Sequence, residues 1–338
     1  MIKVGVIGCG FMGGMHTASY AALAHLDVKV VAVADVRPEF AKKVADVAGE
    51  GVTIYNCGMD LIENADVDMV DICLPTHLHV AHAVAAMKKG LNVFVEKPVC
   101  FNDEEMDLLL KTEKETGVKA QVGQSVRHAL QTKWLKKAVE SGEYGRIVHA
   151  QFRRLSSRPT WAWENWLHQV DKSGSVALDM HVHDVDLVRY LMGNPDTIKS
   201  HAYRDEDGAI QHITSLYGYG KDILVSLEGG WNYPSSFPFT SDIRVMFEKA
   251  TVTVAGGVLT VYKDDGTIEK PELIPEYTGT NNIGGNISSL GSYYMELKYF
   301  IEGLQGKNDL SVARIADAVE SVRLAKKEIE AAGGLIVK

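Results

Sequence analysis

The sequence has few cysteines and none of the paired motifs that bind metals or form catalytic disulfides. Its four cysteines lie within the first hundred residues, without a CxxC pair (Cys9, Cys57, Cys73 and Cys100). This pattern indicates reduced, buried thiols rather than a disulfide framework. No set of residues has the spacing of a metal site, so no metal is predicted.

Long apolar runs and long basic runs are also missing. No stretch approaches the ~18 uninterrupted apolar residues of a membrane helix, and the opening MIKVGVIGCG lacks the regions of a signal peptide. No run of Lys and Arg exceeds two residues and the formal net charge is -9, so nothing attracts the chain to nucleic acid or anionic lipid. We therefore predict a cytoplasmic protein with neither a nucleic-acid nor a membrane partner.

The chain of 338 residues is longer than one typical core supports, so two domains are expected. In residues 1–123, apolar runs alternate with helical patterns, which indicates an α/β domain with a doubly wound parallel sheet. In residues 124–338, long alternating runs joined by turns indicate an α+β domain with a large, mainly antiparallel open sheet. A last helical pattern over 312–332 has one apolar stripe for packing back across the domain junction.

The first apolar run leads into a glycine-rich turn. A helical pattern follows the turn, and the next apolar run ends in Asp35, twenty-two residues after Gly13. This order predicts a dinucleotide site, in which glycines permit the tight turn and the helix N-terminus faces the phosphates. A glycine-rich turn alone is common, so the prediction depends on the whole order. The turn contributes five candidate cofactor ligands (Gly8, Gly10, Phe11, Met12 and Gly13).

The acidic residue after the second run bears on the choice of cofactor. Asp35 accepts hydrogen bonds from a ribose diol and repels a 2'-phosphate, which favours NAD without excluding NADP. Arg37 follows two residues later. Its guanidinium suits stacking on adenine or pairing with a phosphate, so the choice stays open at this point.

Two later apolar runs end where a parallel sheet binds ligands. One is followed by Pro75-Thr76, and the other by Glu96, Lys97 and Pro98. Ligands bind beyond the carboxyl ends of parallel strands, so these residues are candidates for a site. Alternatively, Thr76 caps the next helix and Lys97 is a solvated surface charge. A cis bond before Pro98 is one way for the chain to aim the lysine.

A second candidate motif lies in the second half of the chain. The turn Ser173-Gly174-Ser175 precedes a helical pattern that places Asp179 and His183 one turn apart on one face. A carboxylate beside an imidazole fixes its tautomer and raises its basicity, which suits proton transfer from an alcohol. Alternatively, the aspartate is stabilised by the dipole of the first helical turn and the histidine is structural.

Aromatic and basic residues near these motifs are weaker candidates. Trp166 belongs to a group with Trp161 and Trp163, which forms either a wall for a sugar ring or a core or subunit contact. His168 beside it is placed to bond a hydroxyl, and Arg127 binds either a substrate hydroxyl or an interdomain acid. Two segments are expected as loops over the pocket or at an oligomer contact (Phe237 to Phe239 and Thr278 to Asn286).

The glycine turn with Asp35, the triplet Glu96 to Pro98 and the run Gly174 to His183 resemble, in order and spacing, the Gfo/Idh/MocA family of oxidoreductases. The resemblance covers nearly the whole chain. It implies an NAD(P)-dependent dehydrogenase of a sugar, cyclitol or related polyol, assembled as a homodimer or homotetramer through the second domain's sheet. The family usually has two or three glycines where this sequence has Ser173-Gly174-Ser175, which puts the backbone at that turn in question.

The resemblance also implies roles for single residues. Lys97 contacts the reacting oxygen, while Glu96 either touches the cofactor's ribose or positions the lysine. Asp179 and His183 flank the same carbon. We interpret His183 as the proton acceptor, Asp179 as its orienting group and Lys97 as the group that polarises the oxygen, with the formal base left open between His183 and Lys97. Cofactor contacts include the strand ends (Pro75, Thr76, His79, Glu96 and Lys97). Substrate contacts include the catalytic residues and three others (Arg127, Trp166 and His168).

Two other functions are compatible with these motifs. A redox-assisted lyase or glycosidase oxidises a sugar carbon transiently and leaves its bound NAD unconsumed. A sensor binds the dinucleotide without turnover, but it has no need to keep Lys97, Asp179 and His183 together.

Overall fold

The computed structural model describes residues 1–280 and 289–334. It divides into two compact units, the first made of Met1–Ala129 with Pro275–Val319 and the second of Leu130–Ile274 with Glu320–Lys338. In the described residues no helix combines the length and the apolar character needed to cross a membrane.

The first unit is built on a parallel sheet of six strands: β1 (Ile2–Ile7), β2 (Val28–Ala34), β3 (Thr53–Tyr55), β4 (Met69–Ile72), β5 (Asn92–Glu96) and β6 (Ala120–Gly123). Their order is β3-β2-β1-β4-β5-β6, and every neighbouring pair is parallel. The central strands β1, β4 and β5 are mostly apolar and mostly buried, as a doubly wound sheet requires. The order reverses between β1 and β4, where such sheets bind ligands.

The helices that alternate with these strands are α1 (Phe11–Ala22), α2 (Pro38–Ala48), α3 (Gly58–Asn64), α4 (His79–Lys88), α5 (Asp103–Thr116) and α6 (Ser125–His128). Several of their ends follow from local chemistry. The Asn102 side chain accepts a hydrogen bond from the Glu105 N–H and so caps α5, and Gly117 ends that helix in the left-handed conformation. The Rossmann-type α/β domain predicted from the sequence is confirmed.

The second unit contains an open sheet of eight strands: β7 (Ile147–Ser157), β8 (Thr197–Arg204), β9 (Ile210–Tyr219), β10 (Ile223–Tyr233), β11 (Thr240–Phe247), β12 (Ala250–Ala255), β13 (Val258–Lys263) and β14 (Ile268–Glu269). Their order is β14-β13-β12-β11-β7-β10-β9-β8. Only the central pair β7 and β10 is parallel among these strands, so the prediction of a mainly antiparallel sheet is confirmed.

The helices of this part of the chain are α7 (Leu130–Ser141), α8 (Val170–Ser173), α9 (Ser175–Asp179) and α10 (Val182–Met192). Helix α9 packs on β9 and β10, and α10 packs on β7, so these helices lie against one face of the sheet. Within the predicted loops, Phe237 stacks on Tyr233 with ring centroids 4.3 Å apart. Residues 281–286 of the other predicted loop lie outside the described residues.

The last two helices are divided between the two compact units. They are α11 (Gly291–Leu304) and α12 (Ile315–Ala331). Helix α11 packs against α1 and α6, and its Leu297, Phe300 and Ile301 belong to the core of the first unit. The predicted division, 1–123 and 124–338, therefore differs from the compact units, because an apolar stripe shows that a helix buries a face but not which domain covers it. Helix α12 contributes residues to both units.

Candidate active site

The glycine turn after β1 is shaped by close backbone contacts. Gly8 has φ +91°, and a Cβ there would lie 2.4 Å from the carbonyl oxygen of Cys73. A Cβ on Gly13 would lie 1.9 Å from the Gly8 carbonyl oxygen, so both positions exclude a side chain. Gly10 is the N-cap of α1, and the nearest atom to its added Cβ is 4.0 Å away, on Arg37. The turn thus leaves open space at the helix N-terminus, where backbone N–H groups attract phosphate.

Asp35 holds this turn from the end of β2. Its Oδ2 accepts a hydrogen bond from the Cys9 N–H at 2.8 Å. Its Oδ1 accepts hydrogen bonds from the N–H and Nε of Arg37 at 2.9 and 3.2 Å. The Arg37 guanidinium lies 3.9 Å above the Phe40 ring. The acid and the base are therefore a preformed pair beside the glycine turn.

The segment after β4 contains the predicted residues Pro75, Thr76 and His79. Thr76 is buried, and its hydroxyl has no hydrogen-bond partner among the described residues, so it does not cap the following helix. The His79 ring lies between two backbone carbonyls, with Nδ1 2.8 Å from the oxygen of Pro98 and Nε2 2.7 Å from the oxygen of Leu74. His79 therefore connects the segments that follow β4 and β5. Burial lowers the pKa of this imidazole.

Glu96 and Lys97 stand where β5 ends. Glu96 is the last residue of the strand and is only 6% exposed, and Lys97 is half-buried. The backbone N–H of Lys97 donates a hydrogen bond to Oε2 of Glu96 at 3.0 Å. The bond between Lys97 and Pro98 is cis, as anticipated from the sequence. A Cβ on Gly123 would lie 2.9 Å from Oε1 of Glu96, so β6 packs directly against this carboxylate.

A buried polar cluster lies behind Glu96 and was not predicted from the sequence. His16 of α1 has Nδ1 2.9 Å from Oδ2 of Asp71 and 3.3 Å from Sγ of Cys73. Its Nε2 lies 3.2 Å from Oε1 of Glu96 and 3.9 Å from Oε1 of Glu296, a residue of α11. His16 and Asp71 are fully buried, and Glu296 is 1% exposed. Helix α11 thus adds an acid to the strand-end site.

The charges of this cluster follow from burial and mutual contact. Burial opposes the charged form of His16, but the charge of Asp71 and the hydrogen bonds of Asp71 and Cys73 raise its pKa well above the usual value. Burial would raise the pKa of Glu96, but the His16 ring, whose Nε2 lies 3.2 Å from Oε1 of Glu96, lowers it through its charge. Burial and the charge of Glu96 raise the pKa of Glu296 well above its usual range. The directions of these pKa shifts favour the charged forms of His16 and Glu96 and the neutral form of Glu296.

The sequence does contain a signal for this cluster. Asp71 interrupts a strand that is otherwise apolar and buried on both faces, and Glu296 and His16 lie on the buried faces of their helices. Charged residues are rarely fully buried unless they are paired. Three such residues in one domain therefore predict a shared partner, although the sequence does not say which acids meet.

All four cysteines are free thiols. Cys9 and Cys100 are buried as predicted, whereas Cys57 and Cys73 are half-buried. Burial and the charge of Asp35 raise the pKa of Cys9 to about 12. Burial and the charge of Asp71 also raise the pKa of Cys73. Both residues therefore remain protonated at neutral pH.

The predicted pair Asp179 and His183 lies in the second unit, and its helix prediction needs a correction. Asp179 ends α9 and His183 lies in the first turn of α10, with Met180 and His181 between the two helices. At this break His181 is buried, with Nε2 3.1 Å from Oε2 of Glu328. Asp179 is at a helix C-terminus, so the dipole of a first turn does not stabilise it. Both side chains are half-buried.

Ser175 stands where the family pattern usually has a glycine, and its backbone has a conformation typical of glycine. Gly174 and Ser175 have φ +70° and +64°, so two successive residues are left-handed. The Ser175 N–H donates to Oγ of Ser173 at 2.9 Å. A serine therefore occupies a conformation that glycine adopts at lower cost.

The weaker candidates have local partners. Nε2 of His168 lies 2.6 Å from the carbonyl oxygen of Pro159, and its ring meets Trp231 edge-on. Trp166 is half-buried, whereas Trp161 and Trp163 are 47% and 44% exposed. An exposed pair of this kind does not belong to the core of its unit.

Arg127 is 4% exposed in α6. Its Nη1 lies 3.9 Å from Oδ2 of Asp317, which belongs to the same unit. The acid found beside this guanidinium is therefore not an interdomain partner.

Comparison with known proteins agrees with this architecture. The model of an oxidoreductase family with an NAD-binding Rossmann fold matches residues 2–124, and the GFO/IDH/MocA C-terminal domain matches residues 132–253. The chain belongs to the Gfo/Idh/MocA family of oxidoreductases.

Two Gfo/Idh/MocA relatives are enzymes of sugar or cyclitol oxidation by name. Levoglucosan dehydrogenase of Pseudarthrobacter phenanthrenivorans is 32% identical over 208 residues, which cover 57% of this chain and 51% of the relative. Myo-inositol 2-dehydrogenase of Thermotoga maritima is 31% identical over 194 residues, which cover 57% and 55%. The chain thus spans about half the length of the curated relatives that it matches.

Solved structures share the fold over almost the full length. A levoglucosan dehydrogenase in complex with NADH and levoglucosan superposes with a TM-score of 0.83 at 21% identity, covering 98% of this chain and 97% of that one. The WlbA dehydrogenase of Bordetella pertussis, in complex with NADH and UDP-GlcNAcA, gives 0.78 at 19% identity, covering 98% and 96%. At these identities the likeness establishes the Gfo/Idh/MocA fold alone.

Proposed function

We propose that this protein is an NAD-dependent dehydrogenase that oxidises a secondary hydroxyl of a sugar, cyclitol or related polyol. The observation that carries the proposal is the position of Lys97. It follows the carboxyl end of β5, next to β4, in the sheet whose β1 leads into the glycine turn. The names of the levoglucosan and myo-inositol dehydrogenases support this substrate class.

The first unit fits NAD in its own geometry. Gly10 leaves room at the N-terminus of α1, and Asp35 offers a carboxylate beside it. The buried Thr76 hydroxyl, which has no partner among the described residues, suits a ribose hydroxyl of the cofactor. Bound NAD supplies the hydride acceptor. We assign its binding to the turn, the acid and the strand ends (Gly8, Gly10, Phe11, Met12, Gly13, Asp35, Pro75, Thr76 and Glu96).

Cofactor preference depends on the acid and base at the end of β2. Asp35 accepts ribose hydroxyls and repels a 2'-phosphate, which favours NAD. Arg37 is 3.2 Å from that carboxylate and offers a positive charge to a 2'-phosphate, so NADP remains the alternative. Parallel assays with the two cofactors decide between them.

The proposed chemistry needs one proton acceptor and one group that stabilises developing negative charge. We assign proton transfer to His183, orientation of its ring to Asp179, and polarisation of the reacting oxygen to Lys97. The ammonium hydrogen bond strengthens as the alkoxide develops, so its contribution is larger in the transition state than in the ground state. His79 positions the strand-end segments through their carbonyls, and we place Arg127, Trp166 and His168 on the substrate side.

A cofactor-linked screen tests the proposal. Inositols, aldoses and anhydro sugars such as levoglucosan are offered with NAD and with NADP, and reduced cofactor is followed by absorbance. Net accumulation of NADH with at least one polyol is expected, and Lys97→Ala should abolish it. A lyase that re-reduces its own intermediate, or a sensor, would give no net NADH with any polyol, and that result would overturn the dehydrogenase assignment.

We also propose association through the open face of the second unit's sheet. Leu224, His149, Met246, Thr251 and Tyr262 form one row of directly paired residues across five strands. Within this row three large apolar side chains are exposed, namely Leu224 at 47%, Met246 at 47% and Tyr262 at 44%. Apolar patches of this kind are typical of interfaces.

A homodimer or homotetramer is expected by light scattering. Leu224→Lys combined with Met246→Lys should shift the protein toward monomer. A monomeric wild-type protein would contradict the assembly. We place the protein in the cytoplasm, and fractionation of the producing cells tests that location.

A further inference from the structure

The buried cluster around His16 contains three acidic side chains, those of Asp71, Glu96 and Glu296. So many acids are unusual in a buried position. One donor atom each from His16, Glu96 and Glu296 lie within 4.8 Å of one another, as do atoms of His16, Asp71 and Cys73. Among the described residues, neither carboxyl oxygen of Glu296 has a hydrogen-bond partner, although the side chain is buried. A buried carboxyl without donors is costly unless it serves another group.

We propose that His16 and Glu296 are positioning residues for Lys97, and that they act through Glu96. His16 as an imidazolium bridges Asp71 to Glu96, while Glu296 stays a neutral acid that prevents a third buried negative charge. Glu96, held as a carboxylate, accepts a hydrogen bond from the backbone N–H of Lys97. This bond fixes the lysine backbone at the end of β5. This inference rests on the proposed function of Lys97.

The charge balance favours this arrangement. With Asp71, Glu96 and Glu296 all ionised, one imidazolium would face three buried carboxylates. Like charges a few ångströms apart in a poorly solvated interior repel strongly. A proton kept on Glu296 leaves one imidazolium between two carboxylates, with the Lys97 ammonium next in sequence to Glu96.

The groups that face this cluster come from five elements. Tyr20 is on the helix of His16, and burial and the charge of Asp71 raise its pKa, so it stays neutral. The remaining titratable neighbours are Asp71 and Cys73 at β4, Glu96 and Lys97 at β5, His79 at the start of α4, and Tyr293 and Glu296 on α11. Among these, His16 alone faces both Asp71 and Glu96 through its two ring nitrogens.

The arrangement predicts a specific pH effect. His16 lowers the pKa of Glu96, so Glu96 stays ionised as the pH falls. Without the imidazolium, burial raises the pKa of Glu96, and the carboxylate that receives the Lys97 N–H is lost at a higher pH. The acid limb of kcat/KM should therefore move to higher pH.

The first experiment does not depend on activity. Infrared spectra of wild type and Glu296→Gln are compared at pH 7 in H2O and D2O. The wild-type protein should show a carboxylic-acid C=O band that the variant lacks. Identical spectra, or a divalent cation bound one to one in the purified wild-type protein, would overturn the assignment of a neutral Glu296.

The second experiment uses kinetics with the full chain. In His16→Asn the acid limb of kcat/KM should shift upward by about one unit or more, the effect of removing an opposite charge at contact distance. The KM for NAD should stay within twofold, whereas Glu296→Gln, which keeps a neutral side chain, should retain the wild-type profile. If His16→Asn does not fold, His16→Gln replaces it, and the same upward shift of the acid limb is expected. Ser19→Ala is the matched control, because Ser19 is equally buried on α1 and bonds only its own helix, at the carbonyl of Met15.

The outcomes separate this inference from the proposed function. If Lys97→Ala turns over normally, the assignment of Lys97 fails, whatever the infrared result. If Lys97→Ala is inactive but His16→Asn keeps the wild-type pH profile and kcat, the positioning role alone is wrong. A profile shift of equal size in Ser19→Ala would reduce the effect to general destabilisation and would also overturn the inference.

Discussion

Each unit of this protein buries one histidine against a carboxylate, and the two pairs differ in what else they touch. Nδ1 of His16 lies 2.9 Å from Asp71, and Nε2 of His181 lies 3.1 Å from Glu328. Both imidazoles are fully buried, and the charge of the partner carboxylate raises the pKa of each against the effect of burial.

The second ring nitrogen makes the difference. In His16 it meets Glu96 at the strand end that leads into Lys97. In His181 it lies against backbone, since a Cβ on Gly229 would be 2.6 Å from Nδ1. The same chemical pair is thus connected to a candidate active site in one unit and closed within the core in the other. We expect changes at the first pair to affect turnover and changes at the second to affect stability.

The largest expected effect is the loss of turnover when Lys97, at the end of β5, is changed. Lys97→Ala should lower kcat about 10²- to 10⁴-fold, because the developing alkoxide loses its charged donor. The affinity for NAD, measured by titration of protein fluorescence, should change little. Lys97→Arg, which keeps the charge, is the control. Turnover within twofold of wild type in Lys97→Ala would contradict the assignment.

The second prediction concerns the buried pair of His181 and Glu328 in the second unit. Glu328→Gln should lower the free energy of unfolding by about 3 to 5 kcal/mol, because it leaves the buried His181 without its counter-charge. The effect is measured by urea unfolding followed by tryptophan fluorescence. All five tryptophans lie in the second unit, so the signal reports on it directly (Trp134, Trp161, Trp163, Trp166 and Trp231).

The pH dependence sharpens this test. The pKa of His181 is raised in the folded state, so its contribution is present in full below about 6.5, the value in an unfolded chain. The contribution decreases as the pH rises through the folded pKa. The gap between wild type and Glu328→Gln should therefore be widest in acid and narrower in alkali. A gap that does not depend on pH would refute the charged form of His181.

The third prediction concerns the cofactor end of the first unit. Asp35→Ala should raise the KM for NAD about 10- to 100-fold, the value of one or two hydrogen bonds to a charged group. The ratio of NADP to NAD activity should rise because the repulsion of a 2'-phosphate is removed. Asp35→Asn keeps the size of the side chain but removes its charge. It therefore separates the loss of hydrogen bonds to the ribose from the loss of repulsion toward a 2'-phosphate. An unchanged KM would show that the ribose is bound elsewhere.

The smallest predicted effect returns to the second unit. Ser175→Gly should raise the free energy of unfolding by about 1 kcal/mol, since glycine relieves the left-handed conformation. The Ser175 hydroxyl is buried without a partner among the described residues, so its loss costs no hydrogen bond. Tryptophan-detected unfolding measures the change, and Ser173→Gly, which removes the hydroxyl that binds the Ser175 N–H, is the opposing control. A free energy of unfolding lower in Ser175→Gly than in wild type would contradict the backbone strain at Ser175.

Local patterns predicted most of the elements and part of the site. The spacing from Gly8 to Asp35 predicts a strand, turn, helix and strand, and those elements form the start of the parallel sheet. Alternating runs predicted the second sheet because each strand buries one face. The glycine turn and the strand-end triplet were identifiable for the same reason, since each motif is continuous in the sequence.

Contacts between distant segments were not predictable in this way. The residue between α9 and α10, His181, contacts Glu328, which lies almost 150 residues later, and the helical pattern around Asp179 and His183 gave no sign of that contact. The sequence likewise does not say that α11 returns to the first unit. That return is what brings Glu296 to His16.

The amino-acid sequence by itself determined which residues lie at strand ends, because strand periodicity and glycine chemistry are local. It thereby determined that Glu96 and Lys97 lie at the carboxyl end of a buried parallel strand. Only the tertiary structure decided which buried acids lie against His16. Their charge states depend on distances between β4, β5, α1 and α11, and electrostatic energies in a poorly solvated core vary steeply with distance.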